Sequence, residues 1–290
     1  MLYAIAAAIL FGAAIPLCKW LGIDWPEVLL AGTLYFSCGV GLLLLRLFVK
    51  RGESLKRVDL PYLAGVVFFG GIAAPVALLY GLSFTTGYAG ALLVNLETVF
   101  TTLLAVTLFK ALLPRRDLVA VIVLTLAAVT VSLGSTQDKL ATHPVLGAIL
   151  VALACLGWGL DNNFTQRISQ RDPLQIAGVK GLVAGIVNLT IGLSLGQRPP
   201  IDTKSLIVAA LVGLFSYGAS IALFVVALRR LGAPKTSALF ALAPVTGVVV
   251  AWLMLSERPQ WLALIGGTVM IATVVWMALT PTKVPENAAG

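Results

Sequence analysis

Charged residues are scarce in this chain of 290 residues. Asp, Glu, Lys and Arg make up only 11% of it, whereas about 25% is usual in a soluble domain. Hydrophobic residues account for 59%, and the mean hydropathy is +1.01. A water-soluble core cannot bury so much apolar surface, so we expect the chain to lie in a lipid bilayer. Because lipid satisfies no backbone hydrogen bonds and the apolar runs have helical length, the composition predicts an all-α membrane protein.

Cysteine and histidine are also rare, which argues against disulfide and metal chemistry. Cys18, Cys38 and Cys155 lie in apolar runs without CxxC spacing, so we expect buried free thiols. His143 is the single histidine and lies in a connecting loop, which favours neither a metal cluster nor a catalytic role. The sequence also lacks the GxxxxGKS or GxxxxGKT pattern of an ATP-binding loop. We therefore predict no catalytic residues, no metal site and no cofactor.

Apolar runs that are long enough to span a membrane recur ten times along the chain. Such a helix needs roughly 20 residues, and the connections are too short to hold a soluble domain. The predicted spans are Leu2–Leu21, Glu27–Val49, Leu60–Phe84, Tyr88–Phe109, Leu118–Leu133, Val145–Ser169, Leu174–Leu195, Ser205–Leu231, Pro234–Leu255 and Gln260–Thr280. The net charge of +8 resides between these spans, which indicates membrane topology and not nucleic-acid binding.

The basic residues are distributed unevenly between the two sets of loops. If the N-terminus is cytoplasmic, the inner loops contain Lys50, Arg51, Lys56, Arg57, Lys110, Arg115, Arg116, Arg167, Arg171, Arg229, Arg230 and Lys235. The outer loops then contain only Lys139, Arg198, Lys204 and Arg258. Lys and Arg concentrate in cytoplasmic loops. This bias predicts that both termini are cytoplasmic and that the protein crosses the inner (plasma) membrane many times.

The two halves of the chain can be aligned with each other. Leu10-Phe11-Gly12 aligns with Gly157-Trp158-Gly159, and residues 96–99 align with residues 242–245. We predict one five-helix repeat over residues 1–134, a second over residues 144–280, and a disordered tail over residues 281–290. Because each half has an odd number of spans, the second repeat is inverted relative to the first. Inverted repeats let one site near the bilayer midplane open alternately to either side.

Asp161 lies in an otherwise apolar helix, where a charged group is costly and marks a functional site by default. The helical period places Trp158, Asp161 and Asn162 on one face, where they are predicted to contact a ligand. Alternatively, Asp161 forms a structural ion pair with Lys180. Both residues lie about eight positions from the connection between their helices, so they have similar depth in an antiparallel pair.

Glu97 is the second buried carboxylate that the sequence predicts, and it is our preferred coupling or ligand-binding residue. It lies near the middle of the fourth span, with no cation at an obvious matching depth. Asn95 and Thr101 extend the polar stripe, and Tyr80 and Tyr217 are weaker candidates. Without a cation nearby, a carboxylate in low dielectric favours its neutral form, as a proton-coupling residue requires. The alternative is a protonated Glu97 that bonds a neighbouring helix carbonyl.

Several short segments match the pattern of a known transporter family. They are Gly12, Trp158-Gly159, residues 95–100, residues 242–245 and Ser256-Glu257. With its ten spans in two halves, the chain resembles EamA-type members of the drug/metabolite transporter superfamily. The chain departs from the family pattern at Thr98, where Pro is frequent, and at Ala111, roughly where the second repeat has Glu257. The resemblance implies movement of small metabolites or drugs, with export favoured, through a central cavity.

These observations together predict a secondary transporter that works by alternating access. Its expected partners are a small polar, amphipathic or cationic substrate, the lipid bilayer and a coupling proton, and it acts as a monomer or a homodimer. One alternative is a uniporter or exchanger of uncharged or anionic metabolites. Another is an integral-membrane enzyme that acts on a lipid, which usually requires clustered carboxylates or histidines with a metal. The carboxylates at membrane depth are single and separated here, so we predict that the protein is not an enzyme.

Overall fold

The structure is a computed structural model, and it describes residues 1–49, 52–108, 110, 115–136, 138–200, 202–231, 239–240 and 242–279. Within these ranges the chain forms ten helical segments and no strand beyond one isolated bridge. The segments are α1 (Leu2–Leu21), α2 (Glu27–Phe48), α3 (Arg57–Phe84), α4 (Gly87–Leu93 and Leu96–Thr107), α5 (Arg115–Ser135), α6 (Pro144–Arg167), α7 (Pro173–Ser194), α8 (Thr203–Val212, Gly213–Ala219 and Ser220–Leu231), α9 (Leu242–Leu255) and α10 (Trp261–Leu279).

The predicted all-helical membrane architecture is confirmed. The first eight segments are long and apolar enough to cross a membrane, and α9 and α10 are shorter apolar helices. The helix that begins at Arg57 extends the third predicted span toward its N-terminus. Residues 234–238, at the predicted start of the ninth span, lie outside the described residues, as do Ala111 and the tail over residues 281–290.

The most extensive contacts between helices are preserved when each helix is exchanged for the one five places away. The contacting pairs α2 with α7, α4 with α9, and α5 with α10 each map onto themselves. The pair α1 with α9 corresponds to α6 with α4, and the pair α1 with α8 corresponds to α6 with α3. Glycine permits a close approach of α2 to α7, because a Cβ atom on Gly39 of α2 would lie 2.1 Å from the backbone nitrogen of Leu182 in α7.

Three irregular segments interrupt the helices that surround the centre of the bundle. Residues Val66–Ala73 of α3 and Gly213–Ala219 of α8 form π-helical turns, and such turns are frequent at functional sites. In α4 the helix stops at Leu93 and resumes at Leu96. Broken helices near the bilayer midplane are typical of transporter binding sites. The irregular backbone therefore marks α3, α4 and α8 as helices that can carry the functional site.

Candidate functional site

The break in α4 determines the position of Glu97. The backbone N–H of Asn95 donates to the Leu92 carbonyl at 3.1 Å, and that of Glu97 donates to the Val94 carbonyl at 3.0 Å. The Asn95 side chain donates to the same Leu92 carbonyl at 2.8 Å. Glu97 thus lies in the first turn of the second part of α4, where the unpaired N–H groups of a helix start favour a carboxylate.

The helix α6 provides the hydrogen-bond partner of Glu97. Asn162 Nδ2 donates to Glu97 Oε1 at 2.7 Å and lies 3.2 Å from Thr101 Oγ1. The neighbouring Asn163 donates to the carbonyl oxygens of Thr101 at 3.0 Å and Gly159 at 2.8 Å. Asn163 therefore fastens α6 to α4, while Asn162 is exposed and presents its amide to the carboxylate. Among the described residues, no Lys or Arg forms a salt bridge with Glu97.

Asp161 has a different set of partners. Lys180 Nζ of α7 lies 2.6 Å from Asp161 Oδ2, and Thr165 Oγ1 donates to Oδ1 at 3.1 Å. The Asp161 side chain is only 5% exposed, against 19% for that of Lys180. Helix α3 passes close to this ion pair, because a Cβ atom on Gly70 would lie 2.1 Å from Asp161 Oδ2. The two opposite charges are therefore paired within a tightly packed junction of three helices.

Aromatic side chains surround the ion pair and bond the π-helical turn of α3. The Gly70 carbonyl accepts hydrogen bonds from Tyr35 Oη at 2.9 Å and from Trp158 Nε1 at 3.2 Å. The rings of Tyr35 and Tyr217 lie 5.7 Å apart, and Tyr217 Oη lies 3.6 Å from Cys18 Sγ. Sequence reasoning missed Tyr35, although it is a polar aromatic residue in the middle of an apolar span, which is a usable signal.

Two adjoining cavities meet at Glu97. The first has a volume of about 150 Å³ and is lined by Phe11, Ala14, Ile15, Tyr35, Val94, Glu97, Trp158, Asp161, Asn162, Lys180, Tyr217 and Ile221. The second has a volume of about 240 Å³ and is lined by Phe11, Gly12, Ile15, Ala91, Val94, Asn95, Glu97, Thr98, Phe224, Phe240, Ala243, Pro244 and Val274. We call them the polar cavity and the apolar cavity. Glu97 belongs to both.

The structure brings most of the predicted site residues together. Trp158, Asp161, Asn162, Tyr217 and the predicted ion-pair partner Lys180 line the polar cavity with Glu97. Asn95 lines the apolar cavity, and Thr101 contacts the site through Asn162. Tyr80 of α3 is not among the residues that line either cavity.

Comparison with known proteins identifies the family to which this chain belongs. The sequence pattern of the EamA-like transporter family matches residues 1–133 and 145–279. An uncharacterized transporter of Methanothermobacter thermautotrophicus is 31% identical over 285 residues, which cover 93% of this chain and 83% of the relative. A solved crystal structure of a protein superposes with a TM-score of 0.66 at 17% identity, covering 95% of this chain and 97% of the other, and thus shares the fold. The chain belongs to the EamA-like transporter family of membrane transporters, within the drug/metabolite transporter superfamily.

Proposed function

We propose that the protein is a secondary transporter that binds small amphipathic molecules bearing an amino or other cationic group, with Glu97 as the residue that binds this group or a coupling proton. The observation that carries the proposal is the position of Glu97. Its carboxylate lies where a polar and an apolar cavity meet, and its hydrogen-bond partner among the described residues is the amide of Asn162.

The charges of the polar cavity support a cationic ligand. Asp161 and Lys180 neutralise each other at 2.6 Å, so the ionised Glu97 adds one negative charge that no described cation balances. An unbalanced charge at membrane depth is costly. A proton or a ligand cation removes that cost, and the two would compete for the same carboxylate. Competition of this kind is the physical basis for exchanging a proton against a substrate.

The shape of the site supports an amphipathic molecule. The apolar cavity has an aromatic wall in which the rings of Phe224 and Phe240 lie 4.8 Å apart and those of Phe11 and Phe240 lie 5.4 Å apart. Such a wall suits the apolar body of a ligand, while the polar cavity offers Asn162 and Trp158 to its head. Ligand pockets commonly combine a mostly apolar lining with a few convergent polar groups. The volumes of about 150 and about 240 Å³ restrict the ligand to a small molecule.

Alternating access through two inverted repeats is part of the same proposal. Helix contacts that persist when each helix is exchanged for the one five places away support it, as do the two separate family matches. In such an architecture, rocking of the two halves exposes one fixed site to either side in turn. Cytoplasmic termini, residence in the inner membrane and export as the favoured direction belong to the proposal on the strength of the basic loops and the resemblance.

The experiment is ligand binding to the purified protein. Thermal shift against amines, amino acids, nucleosides, carboxylic acids and drugs is compared between the wild type, Glu97→Gln and the control Glu27→Gln, whose carboxylate lines neither central cavity. We expect an amphipathic amine to stabilise the wild type and the control. Its affinity for Glu97→Gln should fall at least about tenfold, because hydrogen bonds to charged groups contribute about 1.5–3 kcal/mol. Equal binding to all three proteins would refute Glu97 as the residue that binds the ligand and would leave it only the role of binding a coupling proton.

A second candidate function follows from Lys180. Its side chain is 19% exposed and lines the polar cavity, so a ligand carboxylate can approach it in competition with Asp161. A uniporter or exchanger of anionic metabolites would use this contact. In the same binding panel, that function predicts that carboxylic acids stabilise the wild type and that Glu97→Gln binds them at least as well.

A further inference from the structure

Glu257 makes an unusual connection at the end of the bundle that also contains the α1–α2 connection, which we call the predicted outer end. It lies between α9 and α10, and its carboxylate accepts hydrogen bonds from the backbone N–H groups of Gly87 at 2.8 Å and Tyr88 at 2.9 Å. Glu257 is only 2% exposed. We call this arrangement the Glu257 cap. It joins the loop after α9 to the first turn of α4, the helix that carries Glu97.

The segment that the Glu257 cap holds is more buried than the rest of α4. Every residue of Gly87–Leu93 is buried, whereas Glu97 and most residues after it in α4 are half-buried or exposed. Ala91 of this segment lines the apolar cavity. We call Gly87–Leu93 the closing segment, since it runs from the Glu257 cap at the predicted outer end to the apolar cavity.

Helix α4 is interrupted at the other end of the closing segment. Val94 and Asn95 are outside both helical parts of α4, and the Leu92 carbonyl is bonded by the main chain and side chain of Asn95. Hinges are typically a few residues at the ends of secondary-structure elements that absorb changes in backbone angles. Here the two residues immediately precede the turn that contains Glu97.

We infer that the Glu257 cap keeps the transporter closed at the predicted outer end, and that opening there requires the closing segment to leave Glu257 and move about Val94–Asn95. Glu257 is thus a positioning residue that acts on the site through α4. This inference rests on the alternating-access proposal, because only a transporter that opens at both ends needs a releasable closure.

The electrostatic surroundings of Glu257 are consistent with a releasable contact. The groups around it are Lys19 of α1, Asp138 of the α5–α6 connection and the N–H groups of α4. Burial raises the pKa of Glu257 above its ordinary value, against the opposing effects of the two N–H groups and Lys19. Protonation turns one acceptor oxygen into a donor and weakens a contact made with two N–H groups. Two further contacts hold the same region, from Tyr88 Oη to Asp138 Oδ2 at 3.2 Å and from Lys19 Nζ to the Leu82 carbonyl at 2.6 Å.

The inference is tested by thiol labelling, because the chain has only three cysteines to remove, Cys18, Cys38 and Cys155. In a cysteine-free background, Ala91→Cys reports on the closing segment, and a membrane-impermeant maleimide is added to either side of vesicles. A separate Lys139→Cys reporter identifies the side of the predicted outer end. When the maleimide is added from that side, we expect it to label Ala91→Cys faster in the Glu257→Ala and Glu257→Gln variants than with Glu257 intact. The increase should be about tenfold for Glu257→Ala, because loss of the charge-assisted hydrogen bonds shifts the equilibrium between the closed and open states by at least that ratio.

Two controls keep the result specific. Asp172→Asn removes a carboxylate at the opposite end of the bundle and should leave this labelling unchanged. Ala154→Cys, at a residue that is 0% exposed in α6, should stay unlabelled in the Glu257 variants. Unchanged labelling of Ala91→Cys in both Glu257 variants overturns the inference, and so does an equal increase at Ala154→Cys, which would mean that the whole fold has loosened.

The labelling experiment needs no ligand, so its failure differs from a failure of the proposed function. Faster labelling in the Glu257 variants, together with equal ligand binding by the wild type and Glu97→Gln, supports the Glu257 cap and refutes ligand binding by Glu97. Unchanged labelling with lost ligand binding in Glu97→Gln refutes the cap alone.

Discussion

Two carboxylates line the same cavity and are held in opposite ways. The Asp161 carboxylate pairs with Lys180 Nζ at 2.6 Å and accepts a hydrogen bond from the Thr165 hydroxyl at 3.1 Å, and its side chain is 5% exposed. The Glu97 carboxylate accepts one hydrogen bond, from the Asn162 amide at 2.7 Å, and Glu97 is half-buried. A fully paired buried charge acts mainly as part of the structure, because removing its partner leaves an uncompensated charge. A partly paired one can accept a further ligand. The difference supports the proposal that Glu97 binds a ligand or proton, whereas Asp161 has a structural role.

The largest effect is expected from breaking the structural pair. In Lys180→Met the Asp161 carboxylate loses its cation while it remains buried, so we expect the free energy of unfolding to fall by about 3–5 kcal/mol. Denaturant or thermal unfolding in detergent measures the change. Adding Asp161→Asn removes the stranded charge and should recover most of the loss. A double variant that is as unstable as Lys180→Met would contradict the assignment of the pair as structural.

The second effect comes from the helix that crosses the pair. In Gly70→Ala the added Cβ atom would lie 2.1 Å from Asp161 Oδ2, so either α3 or the ion pair must shift. Overpacking of this kind costs about 1–3 kcal/mol, and the unfolding midpoint should fall accordingly. Gly218→Ala is the matched control, since the Cβ atom there meets its nearest neighbour at 3.7 Å. Equal midpoints for the two variants would show that α3 does not hold Asp161 in place.

A third carboxylate, Asp172, lies outside the membrane spans and is also buried. Asp172 Oδ2 lies 2.8 Å from Arg46 Nε and accepts from the Gly52 N–H at 3.2 Å. Burial alone would raise the pKa of Asp172, but the hydrogen bonds from Arg46, Gly52 and the start of α7 lower it below its ordinary value. A lowered folded-state pKa stabilises the protein at pH values above the unfolded-state pKa, which is about 3.9 for Asp. That stabilisation disappears as the pH falls through the folded-state pKa.

Asp172→Asn tests this sign. At neutral pH the variant should lose about 1–3 kcal/mol, the cost of leaving buried donors without their charged acceptor. The difference in free energy of unfolding between variant and wild type should shrink as the pH falls below the ordinary carboxyl range, because the wild-type Asp172 carboxyl is then neutral, like the Asn side chain. Unfolding measured at several pH values checks it. A difference that stays constant down to acid pH would mean that Asp172 acts through packing and not through its charge.

The sequence allowed part of the site to be predicted. Asp161 and Lys180 lie about the same number of residues from the α6–α7 connection, which predicted a similar depth in the membrane. In the structure, Lys180 Nζ lies 2.6 Å from Asp161 Oδ2. The contact between Glu97 and Asn162 was not foreseen, because it depends on how closely α4 and α6 approach. A Cβ atom on Gly159 would lie 3.0 Å from the Thr101 backbone nitrogen, so the small residue sets that approach. Sequence periodicity describes one helix at a time and contains no information on this distance.

The contact of Tyr35 was beyond prediction for a related reason. Its hydroxyl bonds the Gly70 carbonyl, which lies in the π-helical turn Val66–Ala73. No local pattern in that apolar stretch distinguishes a π-helical turn from an ordinary helix. The Glu257 cap is similar, since its hydrogen bonds join residues 170 and 169 positions apart. Tyr35 and Glu257 can be picked out in the sequence, but their partners cannot, because pairings between distant helices are determined by packing.

The smallest effect on stability is expected where the effect on function is proposed to be largest. In Glu97→Gln the side-chain volume is kept, and the new amide oxygen can still accept from Asn162 Nδ2, which lies 2.7 Å from Glu97 Oε1. The free energy of unfolding should change by about 1 kcal/mol or less, the contribution of one ordinary hydrogen bond. Asp161→Asn is the matched comparison in the same cavity, and it should destabilise more, because it leaves Lys180 without its counter-charge. If Glu97→Gln were the more damaging of the two, Glu97 would be the structural carboxylate, and the ligand would have to be sought at Asp161 and Lys180.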